Sequence, residues 1–391
     1  MSAKRRVCVV TGSRAEYGLL YWVLRELRDD PSFALQLVVT GMHLAAEFGH
    51  TVDAIEQDGF AIAKRVEMLV AGDTPAATAR SIALGVVGMS DAIEQLAPEI
   101  VVVLGDRFEI FAAAQACLVH NVPLAHIAGG DTTEGATDEA MRHAITKMAH
   151  VHFATNAESA QRLRQLGEDP ARIHVVGSPG LDHLRRTPLL DRAALEAELD
   201  SRLGKRNVLV TFHPVTLDED AGAGELDALL DALDALPADT TLWCSRPNAD
   251  TGGRAIAARL EAWATPRRHR VRVFASLGQL RYLSLMAQAD AVVGNSSSGL
   301  YEAPSFGIPT VDIGDRQRGR LAASSVIRTA ATRDAIAAAL MRALALGRQA
   351  GVVNPYGDGD SAQRIVAVLR ELPPAVTLLK KKFHAFGVEH A

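Results

Sequence analysis

The sequence lacks the features of a membrane protein, a disulfide framework or a nucleic-acid binder. No apolar run approaches the ~18 consecutive residues of a membrane-spanning helix. The three cysteines, Cys8, Cys117 and Cys244, are far apart in apolar stretches, which indicates buried free thiols in a reducing cytoplasm. The net charge of −5 and pI near 6.2 provide no basic field for nucleic acid or anionic lipid. We therefore expect a soluble cytoplasmic protein with no nucleic-acid or membrane partner.

Several common ligand-binding signatures are also missing. The sequence contains no GxxxxGK[ST] loop, no HExxH pair and no CxxC pair, so Walker-type hydrolysis, zincin chemistry and a CxxC metal site are unsupported. The segment AGAGELDALL at 221–230 lacks the third glycine of a dinucleotide fingerprint and is interpreted as the start of a helix. The N-terminal segment MSAKRRVCVVTG has a short apolar run entering a glycine turn, which predicts a first strand instead of a signal peptide.

Strand-like runs alternate with helical stretches along the chain. This alternation predicts an α/β fold with two doubly wound Rossmann-like domains, and a cleft between their carboxyl edges would suit a ligand. At 391 residues, the length suggests two or three domains of roughly 150 residues each. We predict strands over Arg6–Val10, Leu35–Thr40, Ile62–Val66, Ile100–Leu104, Leu124–Ile127, Val151–Ala154, Ile173–Val176, Val208–Phe212, Thr241–Cys244, Val271–Phe274, Ala291–Val293 and Thr310–Asp312.

Domain boundaries follow from breaks in this pattern. Near Pro188 the chain changes to a charged helical stretch before the strands restart. We therefore predict domains over residues 1–185 and 186–371. The segment PPAVTLLKKKFHAF follows a Pro-Pro break and has helical spacing that includes Lys380–Lys382. Residues 372–391 are expected either to pack back on the N-terminal domain as a helix or to form a solvated surface helix.

An acid-rich turn, GGDTTEGATDEAMRHAITK at 129–147, is the strongest candidate site in the first half. A hydrophobic strand leads into it, so its acids should lie at the carboxyl edge of a parallel sheet, where such sheets bind ligands. For Asp138, helix capping beside Thr137 is as good an explanation as function. Asp131 and Glu134 lie in a short loop between glycines, where two carboxylates that repel each other have no such structural use. The acids are Asp131, Glu134, Asp138 and Glu139.

Two other strand ends in the first half carry polar groups. TGSRAEYGLL at 11–20 places Arg14 at a helix start, where phosphate could bind, although an ordinary turn with a surface arginine explains it equally well. LGDRFE at 104–109 places Asp106 at the end of an apolar strand, near the acid-rich turn. Neighbouring negative charges there would raise a carboxyl pKa into the range used for general acid or base catalysis.

The second half has its own polar strand ends. His213 follows the predicted strand Val208–Phe212 and could face a phosphate or leaving-group oxygen. A further strand opens into NSSSG at 295–299 and a helix carrying Glu302. Small hydroxyls and free backbone N–H groups suit phosphate, and a helical carboxylate suits ribose hydroxyls. A serine-rich helix cap would explain one of these serines but not three followed by glycine.

These segments together resemble the UDP-N-acetylglucosamine 2-epimerase family, and within it the UDP-hydrolysing branch of sialic acid-like and legionaminic acid-like pathways. The resemblance runs over nearly the whole chain. It rests on the ordered motifs TGSRAEYG, GDR, IAGGDTTEGATDEAMRHAITKMAH, VVGSPGLD, FHPVT and NSSSGLYEAPSFGIPTVDIGDRQRGR. It implies a glycosyltransferase-B-like fold, no metal or nicotinamide cofactor, a UDP-sugar substrate and a homodimer or homotetramer.

The resemblance also implies a reaction. UDP leaves an α-linked UDP-2-acetamido sugar by anti elimination, and hydration of the resulting glycal gives the free 2-epimer. The implied catalytic residues are Asp106, Asp131, Glu134, Asp138, Glu139 and His213. Asp106, Asp131 and one or both of Asp138 and Glu139 would move the C2 proton and guide water, Glu134 would share this acid load, and the histidine would serve the diphosphate. The implied substrate-binding residues are Arg14, Asn248, Ser296, Ser297, Ser298, Gly299, Glu302 and Arg320. Some relatives carry glutamate where this chain has Ala128, which leaves individual proton-transfer roles open.

Other functions fit parts of the pattern. A glycosyltransferase of the same architecture would explain the second-half motif but not the crowded acids, and it would need an acceptor. A non-hydrolysing epimerase would retain the nucleotide on its product, whereas the TTEGATDE turn resembles the hydrolysing branch. A silent sugar-nucleotide sensor would tolerate loss of the acids. UDP-N-acetylglucosamine and UDP-N,N'-diacetylbacillosamine both remain candidate substrates.

Overall fold

The computed structural model describes residues 4–72, 74–133, 137–215, 222–247, 253–275 and 277–385. The chain forms two compact units. The first comprises Met1–His183 and Tyr356–Ala391, and the second comprises Leu184–Pro355. Two of the predicted site residues, Glu134 and Asn248, lie outside the described residues.

The first unit is built on a seven-stranded parallel sheet. Its strands are β1 (Arg5–Thr11), β2 (Phe33–Thr40), β3 (Ile62–Val66), β4 (Ile100–Leu104), β5 (Leu124–Ile127), β6 (Val151–Ala154) and β7 (Ile173–Val175), in the order β3-β2-β1-β4-β5-β6-β7. Strands β4, β5 and β6 are buried along their whole length because helices cover both faces, as is usual for parallel sheets. The reversal of strand order at β1 and β4 brings the ends of these two strands side by side.

Helices of the first unit begin where the sequence supplies caps. Ser13 caps the first of them, and Thr74 followed by proline caps the third. The helices are α1 (Arg14–Asp29), α2 (Val52–Gln57), α3 (Pro75–Leu96), α4 (Phe108–Val119), α5 (Thr137–Met148), α6 (Ala157–Gln165), α7 (Asp182–Arg186, at the passage into the second unit), α14 (Ser361–Glu371) and α15 (Ala375–Leu379). No helix among the described residues has the length and apolarity needed to cross a bilayer.

The second unit is built on a six-stranded parallel sheet, in the order β10-β9-β8-β11-β12-β13. Its strands are β8 (Arg206–Thr211), β9 (Thr240–Ser245), β10 (Val271–Phe274), β11 (Ala291–Gly294), β12 (Thr310–Ile313) and β13 (Val326–Thr329). Its helices are α8 (Arg192–Glu198), α9 (Ala223–Asp234), α10 (Gly253–Ala264), α11 (Gly278–Gln288), α12 (Ser298–Tyr301) and α13 (Arg333–Leu346). The sequence did not reveal β13, because it is a four-residue edge strand with no fully buried side chain.

The C-terminal segment returns to the first unit. Ile365 and Leu369 of α14 are fully buried in the first unit's core, whereas the sequence pattern had assigned residues 356–371 to the second domain. Helix α15 ends at Leu379, so Lys380–Lys382 are not helical as the spacing had predicted. Lys381 Nζ instead donates to the carbonyl of Ala149, beyond the C-terminus of α5, at 2.7 Å. That contact requires the chain to leave the helix.

A buried carboxylate fixes this return. Glu168 is 1% exposed and accepts hydrogen bonds from Lys147 Nζ at 2.6 Å and His152 Nε2 at 2.9 Å. Lys381 Nζ forms a third ion pair with it at 2.6 Å. The pKa of Glu168 is lowered to about 2, because these hydrogen bonds outweigh the burial that raises it. The C-terminal segment is thereby tied to the helix that carries Asp138 and Glu139.

All three cysteines are buried free thiols, as predicted. Cys8 and Cys244 lie in β1 and β9, and Cys117 lies in α4. Burial raises the pKa of Cys8 and of Cys244 to about 12, so neither thiol ionises near neutral pH. Their role is apolar packing.

Candidate functional site

An arginine that the sequence analysis did not single out organises the carboxyl edge of the first sheet. Arg142, on α5, forms an ion pair with Asp106, which follows β4. Its other nitrogen, Nη1, donates to Glu139 Oε2 at 2.9 Å and to the carbonyl oxygen of Asp131 at 2.8 Å. Its side chain is 6% exposed. One buried guanidinium therefore gathers three predicted site residues from two loops and a helix.

The carboxylate of Asp131 has its own support. Its Oδ1 accepts hydrogen bonds from Thr155 Oγ1 and Ser159 Oγ, both at 2.6 Å. Thr155 follows β6, and Ser159 lies in the first turn of α6. Both donors are buried, so the carboxylate is held by rigid elements and its orientation is fixed.

The turn before Asp131 needs its glycines. Gly130 has φ of 79°, and a Cβ there would lie 2.3 Å from the carbonyl oxygen of Ser159. Ala128, where some relatives carry glutamate, has φ of 63°, a left-handed conformation that is costly for a non-glycine residue. The backbone therefore reaches Asp131 through a tight turn that the neighbouring helix α6 encloses.

His126 braces the neighbouring strand ends. Its Nε2–H donates to the carbonyl of Gly105 at 2.7 Å, and its Nδ1 accepts from Thr146 Oγ1 at 3.2 Å. Burial lowers the pKa of His126 to about 3, so the ring is neutral and both nitrogens are used. Gly105 precedes Asp106, so this contact ties the predicted catalytic loop after β4 to β5 and α5.

Two further buried acids, Glu16 and Glu109, lie near the carboxyl end of β1. Glu16 Oε2 accepts from the Gly12 N–H at 3.0 Å, while its Oε1 is buried without a hydrogen-bond partner. Burial, with the nearby charge of Glu109, raises the pKa of Glu16 to about 8. Glu109 is itself paired with Arg107 at 3.2 Å. A neutral Glu16 at pH 7 limits the negative charge at this edge.

In the second unit, an asparagine side chain holds His213 in place. Asn295 Oδ1 accepts from the His213 backbone N–H at 2.7 Å, and Asn295 Nδ2 donates to the His213 carbonyl at 2.9 Å. Burial and the charge of Arg316 lower the pKa of His213 to about 4. The imidazole is therefore neutral at pH 7, and its single N–H can donate one hydrogen bond to an anion.

The serine-rich turn after β11 is packed against Tyr282. The tyrosine hydroxyl lies 2.6 Å from Ser298 Oγ, and Ser298 Oγ lies 3.1 Å from Ser296 Oγ. Gly299 cannot be larger, because a Cβ would lie 2.6 Å from Thr310 Cγ2. Ser296 and Ser297 complete a turn of small polar residues that begins immediately after Asn295.

Glu302 and Arg320 follow this turn. Glu302 Oε2 is buried without a hydrogen-bond partner, and burial raises the pKa of this carboxyl to about 8. An unsatisfied buried oxygen of this kind is suited to a ligand hydroxyl. Arg320 Nη1 donates to Gln317 Oε1 at 2.7 Å, and its guanidinium lies 5.8 Å from the centre of the Tyr301 ring.

The structure thus places the predicted residues in two groups, each within one unit. Asp106, Asp131 and Glu139 share Arg142 in the first, and His213 contacts the Asn295 side chain beside the serine turn in the second. Two first-unit predictions stand outside the Arg142 group. Asp138 is exposed in the first turn of α5, and Arg14 is exposed at the start of α1.

Three supporting residues escaped sequence reasoning: Arg142, Asn295 and Tyr282. Arg142 stands three residues after Glu139, a spacing that places both on one helix face and could have indicated the pair. Asn295 was read only as part of a polar turn. Tyr282 carries no local signal, because its partners come from α12 and β8, which are distant in sequence.

Two doubly wound α/β units with polar carboxyl edges define a two-domain, glycosyltransferase-B-like protein, as predicted. The sequence profile of the family described as UDP-N-acetylglucosamine 2-epimerase matches residues 25–370. The chain belongs to this family.

Named relatives extend the comparison. The chain is 39% identical to the GDP/UDP-N,N'-diacetylbacillosamine 2-epimerase (hydrolyzing) of Campylobacter jejuni, covering 83% of this chain and 84% of that protein. It is 34% identical to the UDP-N,N'-diacetylbacillosamine 2-epimerase (hydrolyzing) of Legionella pneumophila, covering 96% and 98%. The crystal structure of a Neisseria meningitidis UDP-GlcNAc 2-epimerase bound to UDP-GlcNAc superposes with a TM-score of 0.79 at 19% identity, covering 93% and 99%.

Proposed function

We propose that this protein is a hydrolysing UDP-2-acetamido-sugar 2-epimerase. The observation that carries the proposal is the cluster of Asp106, Asp131 and Glu139 around one buried arginine at the carboxyl edge of the first sheet. Several fixed carboxylates in one place suit a reaction that removes a proton from carbon and later directs water. Relatives at 39% and 34% identity that are named as hydrolyzing 2-epimerases support the same assignment.

The proposed chemistry has two steps. A carboxylate of the first unit takes the C2 proton while the C1–O bond breaks, giving UDP and a 2-acetamidoglycal. In an α-gluco sugar these two bonds are trans-diaxial, so base and leaving group act on opposite faces. Water then adds its oxygen at C1. C2 takes a proton on the face opposite to the one from which its first proton left, which yields the free manno-configured sugar. Asp131 and Asp106 are our first candidates for these proton transfers, followed by Glu134, Asp138 and Glu139.

The second unit is proposed to hold UDP. Neutral His213 and the hydroxyls of Ser296 and Ser297 would contact the diphosphate, where hydrogen bonds stabilise the leaving group's growing charge. The buried Glu302 carboxyl would meet ribose hydroxyls. Arg320 would supply positive charge, Ser298 with Gly299 would shape the turn, and Arg14 of the first unit is proposed as a phosphate contact from the resemblance. Asn248 completes the proposed set by resemblance, and Glu134 by its place in the acid-rich turn.

The first experiment supplies UDP-N-acetylglucosamine or UDP-N,N'-diacetylbacillosamine in D₂O with no acceptor. We expect release of UDP and of a free manno-configured sugar carrying deuterium at C2, because the proton removed is replaced from solvent. Reaction products would be identified by NMR, with a boiled sample as control. UDP release without deuterium would exclude the elimination, an intact UDP-sugar epimer would indicate a non-hydrolysing enzyme, and turnover only with an added acceptor would indicate a glycosyltransferase. The substrate that turns over faster identifies the preferred sugar.

We further propose that the enzyme is a cytoplasmic homodimer or homotetramer of sialic acid-like or legionaminic acid-like pathways. Exposed apolar side chains support the assembly: Leu84 and Val87 on α3, and Leu118 and Val119 on the adjacent α4. Light scattering after size exclusion should report two or four copies, and Val87→Asp should shift the population toward monomer. Met341→Asp, on an exposed position of α13, is the control. A monomeric unaltered protein would contradict this assembly.

A further inference from the structure

The second unit has a polar cavity, and no proposed catalytic or UDP-binding residue that the structure describes is among its lining residues. It is open to solvent and has a volume of about 500 Å³ at the carboxyl edge of β12 and β13. Its walls include Asp312, Arg328, Asp315, Arg318 and Glu225. This volume lies within the range of small-molecule sites. All of its described lining residues belong to the second unit.

The deepest polar group in the cavity is Asp312. The residue is 2% exposed, and its Oδ1 is buried without a hydrogen-bond partner. Its Oδ2 lies 3.7 Å from Arg328 Nε, which is longer than a charge-assisted hydrogen bond. Burial raises the pKa of Asp312 to about 6, against the lowering effect of Arg328 and Arg320, so most of the carboxyl is ionised at pH 7. A buried carboxylate oxygen in this state needs a donor.

A second acid–guanidinium pair stands at the mouth of the cavity. Asp315 Oδ2 and Arg318 Nη1 are 3.5 Å apart, and both side chains are exposed. Each of the two pairs is electrically neutral by itself, and Glu225 adds one further carboxylate. The cavity therefore has no excess positive charge that would favour an anion. Within the described residues, no group of three or more His, Cys, Asp or Glu could hold a metal ion.

Hydroxyl groups satisfy both members of such a pair. A hydroxyl can donate to a carboxylate while accepting from a guanidinium, so a ligand with several hydroxyls completes both pairs without adding charge. We propose that this cavity is a binding site for a neutral, polyhydroxylated molecule of the size of one sugar ring, with Asp312 and Arg318 as its recognition residues. The proposal does not depend on the catalytic function, because it concerns sugar binding only.

Arg328 is a poor choice for testing the site. It donates a hydrogen bond to the carbonyl of Arg320, and Gln317, which accepts from Arg320, donates to the Asn295 carbonyl at 2.8 Å. Changing Arg328 could therefore disturb the turn beside His213. Arg318 is exposed, and Asp312→Asn preserves side-chain shape, so these two positions are preferable.

The test measures binding of free N-acetylmannosamine and N-acetylglucosamine to the full chain by calorimetry and saturation-transfer NMR, in the presence of saturating UDP. We expect at least one sugar to bind, with Kd raised about ten-fold or more in Arg318→Ala and in Asp312→Asn. Arg333→Ala, which removes an exposed arginine paired with Asp334 outside the cavity, should leave Kd unchanged. Thermal unfolding checks that each variant is folded.

Three results would overturn the proposal. One is no binding of either sugar to the unaltered protein. Another is equal affinity in Arg318→Ala and the unaltered protein, since that variant removes an exposed side chain and should remain folded. The third is binding of inorganic phosphate in place of the sugars, with dependence on Arg318, which would identify an anion site.

Discussion

Replacing Asp131 by asparagine should lower kcat for UDP release by about 10²–10⁴-fold, the usual loss when a general acid or base is removed. Asparagine keeps the shape of the side chain and can still accept from Thr155 and Ser159, so the turn should remain folded. UDP affinity should be almost unchanged, because Asp131 is not among the proposed UDP-binding residues. The measurement is steady-state UDP release with each UDP-sugar, together with calorimetric binding of UDP.

Asp106→Asn provides a second, distinguishable case. It removes the ion pair with Arg142, which also holds Glu139 and the Asp131 carbonyl. We expect a comparable loss of kcat together with a rise in KM, since Arg142, which positions the rest of the cluster, loses its charged partner. Glu158→Gln is the control, because Glu158 is an exposed carboxylate on nearby α6 paired only with Arg162 among described groups. Full activity in both aspartate variants would favour a sugar-nucleotide sensor over an enzyme.

Gly294→Ala should destabilise the second unit by about 2–6 kcal/mol, because backbone strain and overpacking each cost about 1–3 kcal/mol. Gly294 ends β11 with φ of 141°, and a Cβ would lie 1.9 Å from the carbonyl oxygen of Thr211 on the neighbouring strand. The clash is with backbone, so rotation of a side chain cannot relieve it. Thermal unfolding, and hydrogen exchange in β8 and β11, would measure the effect.

Gly278 is the matched control for this substitution. It also has positive φ, at 64°, but has nothing within 4 Å of an added Cβ. Gly278→Ala should therefore cost only the left-handed backbone penalty, about 1–2 kcal/mol. Equal losses in the two variants would show that backbone conformation, and not the approach of β11 to β8, decides the role of Gly294. Loss of UDP binding in Gly294→Ala would in addition support a nucleotide role for the adjoining serine turn.

The predicted strands illustrate how far local patterns reach. Ile62–Val66, Ile100–Leu104, Leu124–Ile127, Val151–Ala154 and Val271–Phe274 were predicted with the bounds that the structure shows. These runs are apolar throughout or begin and end on apolar residues, so length and composition suffice. The edge strand β13 was missed, and the helical spacing over Lys380–Lys382 gave the wrong conformation. In both places long-range contacts decide the structure.

Site prediction has a similar limit. The sequence indicated Asp106 and Asp131 because each follows a strand that must end at the carboxyl edge of a parallel sheet. It did not indicate that Arg142 would contact both residues, because that contact depends on how α5 packs beside β4 and β5. The catalytic and binding roles of all these residues stay predictions until variants are assayed.

The sequence by itself determined the class of fold, the identities of the polar strand ends and the family, because these depend on local periodicity and on ordered motifs. Tertiary structure alone decided which side chains meet. It placed Arg142 among the acids, returned α14 to the first unit's core, buried Glu168 with Lys381, and left Asp312 Oδ1 without a hydrogen-bond partner. Each of these contacts joins elements remote in the chain, and their energies come from burial and charge pairing that no short stretch of sequence contains.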